Sequence, residues 1–359
     1  MIFGERSERQ FRGVQLLVAV VALGTMLLLV PGLSLAAGKS DKSEAKRQEA
    51  EALIQRAIAV SDVRAEGSAE FGMRGTILVN GAKKHVAQGN YLLLWTAPDR
   101  WREEIQFHDY SRIRVGAKNA YWQTRSIDHE LLPINDISDA LSFPMHLRAM
   151  LLSTPDRAKF EIARRKIEGR KAECLLFTPT KKNGTQEYCF DAQDGNLVSE
   201  YNTSWAVGAK VEYTKFATFS GKFFPGMIQV KRGDEVEVQF HLNAILPLGK
   251  TDDATFEASP NAALWGSCTD GDHPVVLHAP LPEPAMISQD MIGSVHVYAV
   301  VGTDGVLHNI KVLPESDSRF VPSTLQAIST WNYAPAFCGG TPLPVEIVVT
   351  IRYDFILAR

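Results

Sequence analysis

The chain is poor in the features that would mark a disulfide miniprotein, a nucleic-acid binder or a metalloenzyme. It has four cysteines in 359 residues and no C-x-x-C pair, which excludes a disulfide-built scaffold and the spacing of a structural zinc site. Neither charge sign dominates: 38 Lys and Arg stand against 41 Asp and Glu, net −3, so the basic footprint of a nucleic-acid binder is missing. No run of five or six like charges reads as an interaction tail. H-E-x-x-H, G-x-S-x-G and G-x-x-x-x-G-K are all absent. His129-Glu130 lacks the second histidine of a zinc helix, and Asp270-Gly271-Asp272-His273 reads as a solvated acidic turn. Asp191…Asp194-Gly195 has Asn202 where a calcium loop needs Glu. The expectation is a non-enzyme with no catalytic residues, no metal and no cofactor.

What is present suffices for real cores. Hydrophobic residues make up 45% and aromatics 9%, over a length of about two domains at ~150 residues each. Arg6, Arg9 and Arg12 precede an uncharged run from Gly13 to Gly38, followed within it by Pro31-Gly32 and Ser34-Leu35-Ala36-Ala37. This is the pattern of a secretory signal with cleavage after Ala36. An uncleaved anchor fits the same length, because the run nearly spans a bilayer core of ~30 Å. Either way the rest of the chain is exported, into the periplasm or tethered at the inner membrane. Export permits disulfides. Cys174 and Cys189 flank two strand-like runs joined by Asn183-Gly184, a hairpin signal. The simplest pairing joins Cys174 to Cys189 and Cys268 to Cys338; four buried thiols are the alternative.

Residues 39–66 become helical, with Ala52, Leu53, Ala57, Ile58 and Val60 on one face. Strands follow from Gly67. In Trp101–Phe107, residues Trp101, Glu103, Ile105 and Phe107 share one face. A helical stretch over Asp136–Leu152 interrupts the strands, which resume at Phe160–Ile167 and run through Lys210–Phe219 to Glu235–Leu242. The Pro- and Gly-bearing segment 247–264 reads as a linker. A compact ββαβ pattern closes the chain: Gly293–Val301, Val306–Leu313, helix Pro322–Trp331 and Val345–Phe355.

Residues 265–359 resemble the TonB C-terminal domain family. The resemblance is carried by Gly293-Ser294-Val295-His296-Val297, Asp304-Gly305, Ala327-Ile328-Ser329-Thr330-Trp331, Tyr333, Pro335-Ala336, Gly340, Pro342 and the closing strand. It implies a small antiparallel sheet with a helix on one face, docking on periplasm-facing parts of outer-membrane transporters by adding a strand. The edge offered to a partner is then Glu346, Ile347, Val348, Val349, Thr350, Ile351 and Arg352. On this reading Glu346 is a surface residue whose removal costs little. The module holds nine Asp and Glu against four Lys and Arg, net −5, and there is no long Pro-rich spacer before the domains.

The region from about 50 to 246 looks like the LolA/LolB-type lipoprotein carriers. The helix, Gly89-Asn90-Tyr91 into Trp95, Pro98-Asp99-Arg100-Trp101-Arg102 and the Phe190-Asp191…Gly195-Asn196-Leu197 hairpin carry that resemblance. It implies a curved antiparallel half-barrel capped by helices, whose concave face could hold acyl chains, with Trp101, Ile105 and Phe107 among its lining. The expected organisation is α+β: signal or anchor 1–36, LolA-like domain 37–246, linker 247–264, TonB-like domain 265–359. The expected role is an envelope binding protein associated with outer-membrane and transmembrane transport. Its partners are an outer-membrane transporter or other envelope protein, with lipid or lipoprotein acyl chains as possible cargo and no nucleic acid. The alternative is a structural or regulatory periplasmic protein without a ligand cavity.

Overall fold

Alternation of buried and open side chains draws most of the chain into one sheet. In the first strand Phe71, Met73 and Ile77 point inward, while Arg74 between them is exposed. The computed structural model describes residues 37–80, 86–117, 120–142, 147, 158–178, 185–202, 209–266, 274–282, 291–314, 316–338 and 340–355. The 1–36 segment and Cys268 therefore lie outside the described residues, as does the side chain of Cys338. Within the described residues no helix is long and apolar enough to cross a membrane.

Helix α1 (Ala37–Ser61) is followed by β1 (Phe71–Asn80), β2 (Val86–Ala97), β3 (Arg100–Gln106), β4 (Ser111–Ala117), β5 (Ala120–Arg125) and helix α2 (Leu132–Leu141). Then come β6 (Lys159–Ile167), β7 (Arg170–Thr178), β8 (Gln186–Asp191), β9 (Leu197–Asn202) and β10 (Ala209–Thr214). The hairpin β11 (Ala217–Phe219) and β12 (Lys222–Phe224) precedes β13 (Met227–Arg232), β14 (Glu235–Pro247) and β15 (Ala263–Gly266). Thirteen of these strands form one open antiparallel sheet, ordered β15-β5-β4-β3-β2-β1-β14-β13-β10-β9-β8-β7-β6. Strand β14 returns beside β1, with Phe71 opposite Pro247, and so joins the two meanders. Gly75 permits this: a Cβ there would sit 2.0 Å from the Phe240 ring.

The sheet curves around α1, whose Ala50, Leu53, Ile54 and Ala57 are buried against Phe71, Met73, Ile77, Phe190, Val230 and Phe240. Ile54 takes the place the sequence pattern suggested for Ala52, which is exposed. Helix α2 begins earlier than expected, because Pro133 is accommodated in its first turn. Most of residues 143–157 lie outside the described residues. The expected strand Lys210–Phe219 breaks at Lys215, whose φ of 54° cannot continue a ladder.

Segment 247–262 crosses the outer face of the sheet. Its 3-10 turn Asp253–Phe256 meets β3 through an Arg100–Asp253 ion pair and a 3.3 Å bond from Arg102 to the Thr255 carbonyl. The Arg100 guanidinium also lies 4.7 Å from the Phe256 ring centre. Beyond it, β15 adds to the sheet at β5.

The terminal module contains β16 (Val275–His278), β17 (Met291–Val301), β18 (Leu307–Val312), helix α3 (Val321–Ile328), β19 (Asn332–Ala334), β20 (Ala336–Cys338), β21 (Thr341–Leu343) and β22 (Val345–Phe355). Its main sheet runs β18-β17-β22. Helix α3 covers one face, enclosing Val295, Val297, Phe320, Ile328 and Ile351, with Phe320 stacked on Tyr353 at 4.1 Å. Gly305 turns the first hairpin at φ 76°, where a Cβ would lie 2.1 Å from the Tyr333 carbonyl oxygen. Residues 41–359 form a single compact unit.

Candidate functional site: an edge strand on a buried ionic seat

Residues opposite one another on neighbouring strands share a face, so the pairing register shows how the inner face changes along the sheet. Tyr91 faces Ile105, Ile105 faces Arg112, and Arg112 faces Arg125; in the next row Leu93, Glu103, Arg114 and Gln123 align. The inner face is thus apolar at β2 and charged at β4 and β5.

Three guanidinium groups meet three carboxylates there. Arg112, with its side chain fully buried, donates to Glu130 and Glu103 at 2.6 Å each and to the Ser138 hydroxyl of α2 at 2.8 Å. Tyr110 donates to Glu130, and Tyr91 to Glu103 at 3.3 Å. Arg114 donates to Gln123 at 2.7 Å and reaches Glu130 at 3.5 Å. From the terminal module Glu346 enters the same network. It pairs with Arg125 at 2.7 Å and accepts from Gln123 at 2.9 Å and from the Tyr298 hydroxyl.

Burial pushes the Glu130 carboxyl up, but Arg112 and Arg114 pull it further down, to about 2. The same balance of burial against Arg112 and Arg114 holds Glu103 below its ordinary range. Burial pushes Tyr110 and Tyr298 up, as do Glu130 and Glu346 beside them, so both phenols stay protonated. Arg112 stays charged, since Glu130 and Glu103 outweigh its desolvation. The cluster is a set of fixed charges in mutual neutralisation. It holds the module: Tyr298, Val300, Leu313 and Val348 pack with Leu132 and Trp265, flanked by a 3.0 Å Lys311–Asp128 pair. A second buried pair joins α2 to the sheet. Asp136 binds Arg232, yet burial raises its carboxyl to about 7, with Asp139 and Glu237 adding to the rise.

Strand β22 is the outer strand of its sheet and has no ladder partner on its far side among the described residues. Which backbone groups are open follows from β17. The Leu313 N–H donates to the His296 carbonyl and the Asp317 N–H to the Ser294 carbonyl, both at 2.8 Å. Ser294 and His296 therefore direct their backbone toward β18. Val295 and Val297 direct theirs toward Ile351 and Val349 of β22. The N–H and C=O groups of Glu346, Val348, Thr350 and Arg352 consequently point away from the sheet.

The side chains of the expected edge divide by face. Ile347, Val349 and Ile351 pack in the helix-side core, while Val348 faces the large sheet. Thr350 bonds His296 at 2.9 Å, and Arg352 is exposed. Glu346 is not the open surface residue expected from alternation: its side chain is 10% exposed and engaged across the interface. Ile105 is in the main core, with Trp101 and Phe107 packed against it. Trp101 lies over Gly116, where a Cβ would come within 2.3 Å of the indole. Open depressions of about 740, 440 and 280 Å3 lie elsewhere on the described surface, and none is lined by these three residues.

Cys174 and Cys189 are disulfide-bonded as expected, fully buried on adjacent strands β7 and β8. With Glu187 they form a cluster of metal-ligand residue types, but the sulfurs are already joined to each other. Asp191 accepts from the N–H groups of Gln193 and Asp194, a turn-capping role.

No curated protein matches the chain. Among solved structures it is similar to a LolA superfamily protein from Nitrosomonas europaea, at 10% identity and a TM-score of 0.36, covering 58% of this chain and 97% of that one. It is also similar to a DUF1329 family protein from Desulfovibrio piger, at 13% identity and a TM-score of 0.41, covering 60% and 97%. The module that presents the β22 edge has its own counterpart: residues 281–355 match the family model described as Gram-negative bacterial TonB protein C-terminal.

Proposed function

We propose that this is an exported bacterial envelope protein that captures an extended segment of a partner along Glu346–Arg352. The open backbone edge of β22 carries the reading. A partner strand gains ladder bonds at Glu346, Val348 and Thr350, with little side-chain selectivity. An outer-membrane transporter or another envelope protein facing the periplasm is the partner class, consistent with the TonB-type match over 281–355. The organisation is a signal segment or inner-membrane anchor over 1–36, a LolA-like domain over 37–246, a wrapping linker over 247–264 and the docking module over 265–359. Its role is binding rather than catalysis, and a transport-associated one. The module's net −5 suits a partner surface that is not itself acidic.

The filled packing around Trp101, Ile105 and Phe107 and the ionic stripe beside them favour a second reading of the large domain. In it the domain is a rigid interaction scaffold, not an acyl-chain carrier. Lipid mass spectrometry of the purified exported protein separates the two: bound acyl lipid at stoichiometric level supports a carrier, and none supports a scaffold. Photocrosslinking from Arg352 in envelope preparations, with identification of the captured chain, tests the edge. Val348→Pro and Thr350→Pro each remove an outward N–H and should abolish capture while the module stays folded. Unchanged capture by both folded variants would place the binding surface elsewhere.

A further inference from the structure

The opposite end of the large sheet carries a second open edge of different chemistry. Strand β6 is the last strand there, with no ladder partner beyond it among the described residues. We infer that β6 is a docking edge for an acidic, extended peptide segment of another protein.

Backbone direction can be assigned here too. Ile167 and Arg170 are joined by the two-residue turn Glu168-Gly169, with φ of 49° and 83°. Two positive φ values make a type I′ hairpin turn, whose flanking residues exchange both backbone bonds. Alternation then commits Arg165 and Ala163 to β7, opposite Ala172 and Cys174. Phe160, Ile162, Arg164 and Lys166 direct their N–H and C=O groups outward. Two observations agree with this phase. The Ala192 N–H donates to the Lys171 carbonyl, so Lys171 faces β8 and not β6. Cys174 and Cys189 lie directly opposite with Cα atoms 3.9 Å apart, the close spacing of a non-bonded pair, as expected if Cys174 bonds to β6.

The edge is strongly basic. Over 159–167, Lys159, Arg164, Arg165 and Lys166 stand against Glu161 alone. Arg165 is held by Glu187 at 2.8 Å. Lys159, Arg164 and Lys166 are exposed and form no ion pair among the described residues. Opposite charges stabilise directly facing residues on paired strands, and like charges destabilise them. The same charges thus repel a second copy of β6 and admit an acidic strand, which is selectivity by rejection as well as attraction.

The edge is also stiff, since Phe160 stacks on Phe177 at 5.3 Å and the disulfide links the two strands behind it. Little ordering cost remains for the protein. A segment leaving the edge at Ile167 reaches the 740 Å3 depression, whose floor includes Ala172, Val198, Phe216 and Phe223.

The test uses the full exported chain and a fluorescent ten-residue peptide alternating Glu with Thr or Val, with a Lys-for-Glu peptide as control. Anisotropy should show binding of the acidic peptide only, weakening as salt rises. The double variant R164E/K166E should lose at least tenfold in affinity. Arg164→Pro, which removes an outward N–H and leaves the β6–β7 ladder intact, should also lose affinity, whereas Thr350→Pro on β22 should leave it unchanged. Binding undiminished in Arg164→Pro, with hairpin integrity checked by amide exchange, would mean charge attraction without strand addition and would overturn the inference. Equal binding of both peptides, binding of neither, or loss on Thr350→Pro would overturn it as well. A failure here leaves the β22 reading untouched, because the two edges are addressed by different variants.

Discussion

The inner face of the large sheet is covered in two unlike ways. Over β1, β2 and β14 it meets α1 through apolar chains, Leu53 and Ile54 against Phe71 and Phe240. Over β4 and β5 it meets Glu130, just before α2, and Glu346 of the terminal module through guanidinium and carboxylate groups withdrawn from water, beside the apolar contacts of Val348 and Leu132. Apolar contact is non-directional and tolerates sliding. A buried ion cluster is satisfied in one arrangement only, because each misplaced charge keeps its desolvation penalty. Helix α1 thus supplies stability, and the ionic seat sets where the module sits.

The largest effect is expected at Arg112. Arg112→Ala leaves Glu103 and Glu130 buried without their shared partner and should cost about 3–5 kcal/mol, read as a lower midpoint in urea unfolding. On the apolar side, Ile54→Ala should cost about 2–4 kcal/mol through lost burial and the cavity left behind, and the loss should not change with salt. Glu346→Gln should cost about 1.5–3 kcal/mol, the range of a charged hydrogen bond. Amide exchange should locate the effect in β17 and β22, with α1 unaffected. The smallest effect is in the pH profile, where two carboxylates act with opposite sign. Glu130, lowered to about 2, gives stability that is complete above about 4.5 and is lost as pH falls toward 2. Asp136, raised to about 7, favours the fold fully below about 4 and loses that contribution as pH rises through 7. Melting temperature should therefore decline from pH 6 to 8 in the wild type, and Asp136→Asn should flatten that decline.

The strands of the terminal module were legible because alternation and flanking prolines agree. The pattern after Pro344 predicts Val345–Phe355, and β22 has those bounds. The hairpin around Cys174 and Cys189 was legible for a similar local reason. The ionic seat was not. In Ser111–Ala117 the alternation rule turns Ile113 and Val115 inward and the arginines out, yet Arg112 and Arg114 face the interior. The rule assumes one wet face, and here segment 247–262 runs across the outside of β3, leaving Val115 only 3% exposed. Glu346 acquires its role from Arg125, a partner brought near by tertiary contact and not by spacing. Three arginines and a glutamate on separate strands become a cluster only when register is known.

The return of β14 beside β1 bears on how the chain reaches its native state. Residues 71 and 247 must meet before the sheet closes, whereas β1 to β5 and β6 to β9 form by hairpins between neighbours in the chain. Local hairpins close in microseconds, and distant pairings carry a larger loop-closure cost. The two meanders are expected to form first and their union to limit the folding rate. Until then one side of β1, including Ile77, Leu78 and Val79, is an unpaired apolar edge. As long as β14 has still to join, this is the interval in which the chain is most prone to aggregate or to need a chaperone.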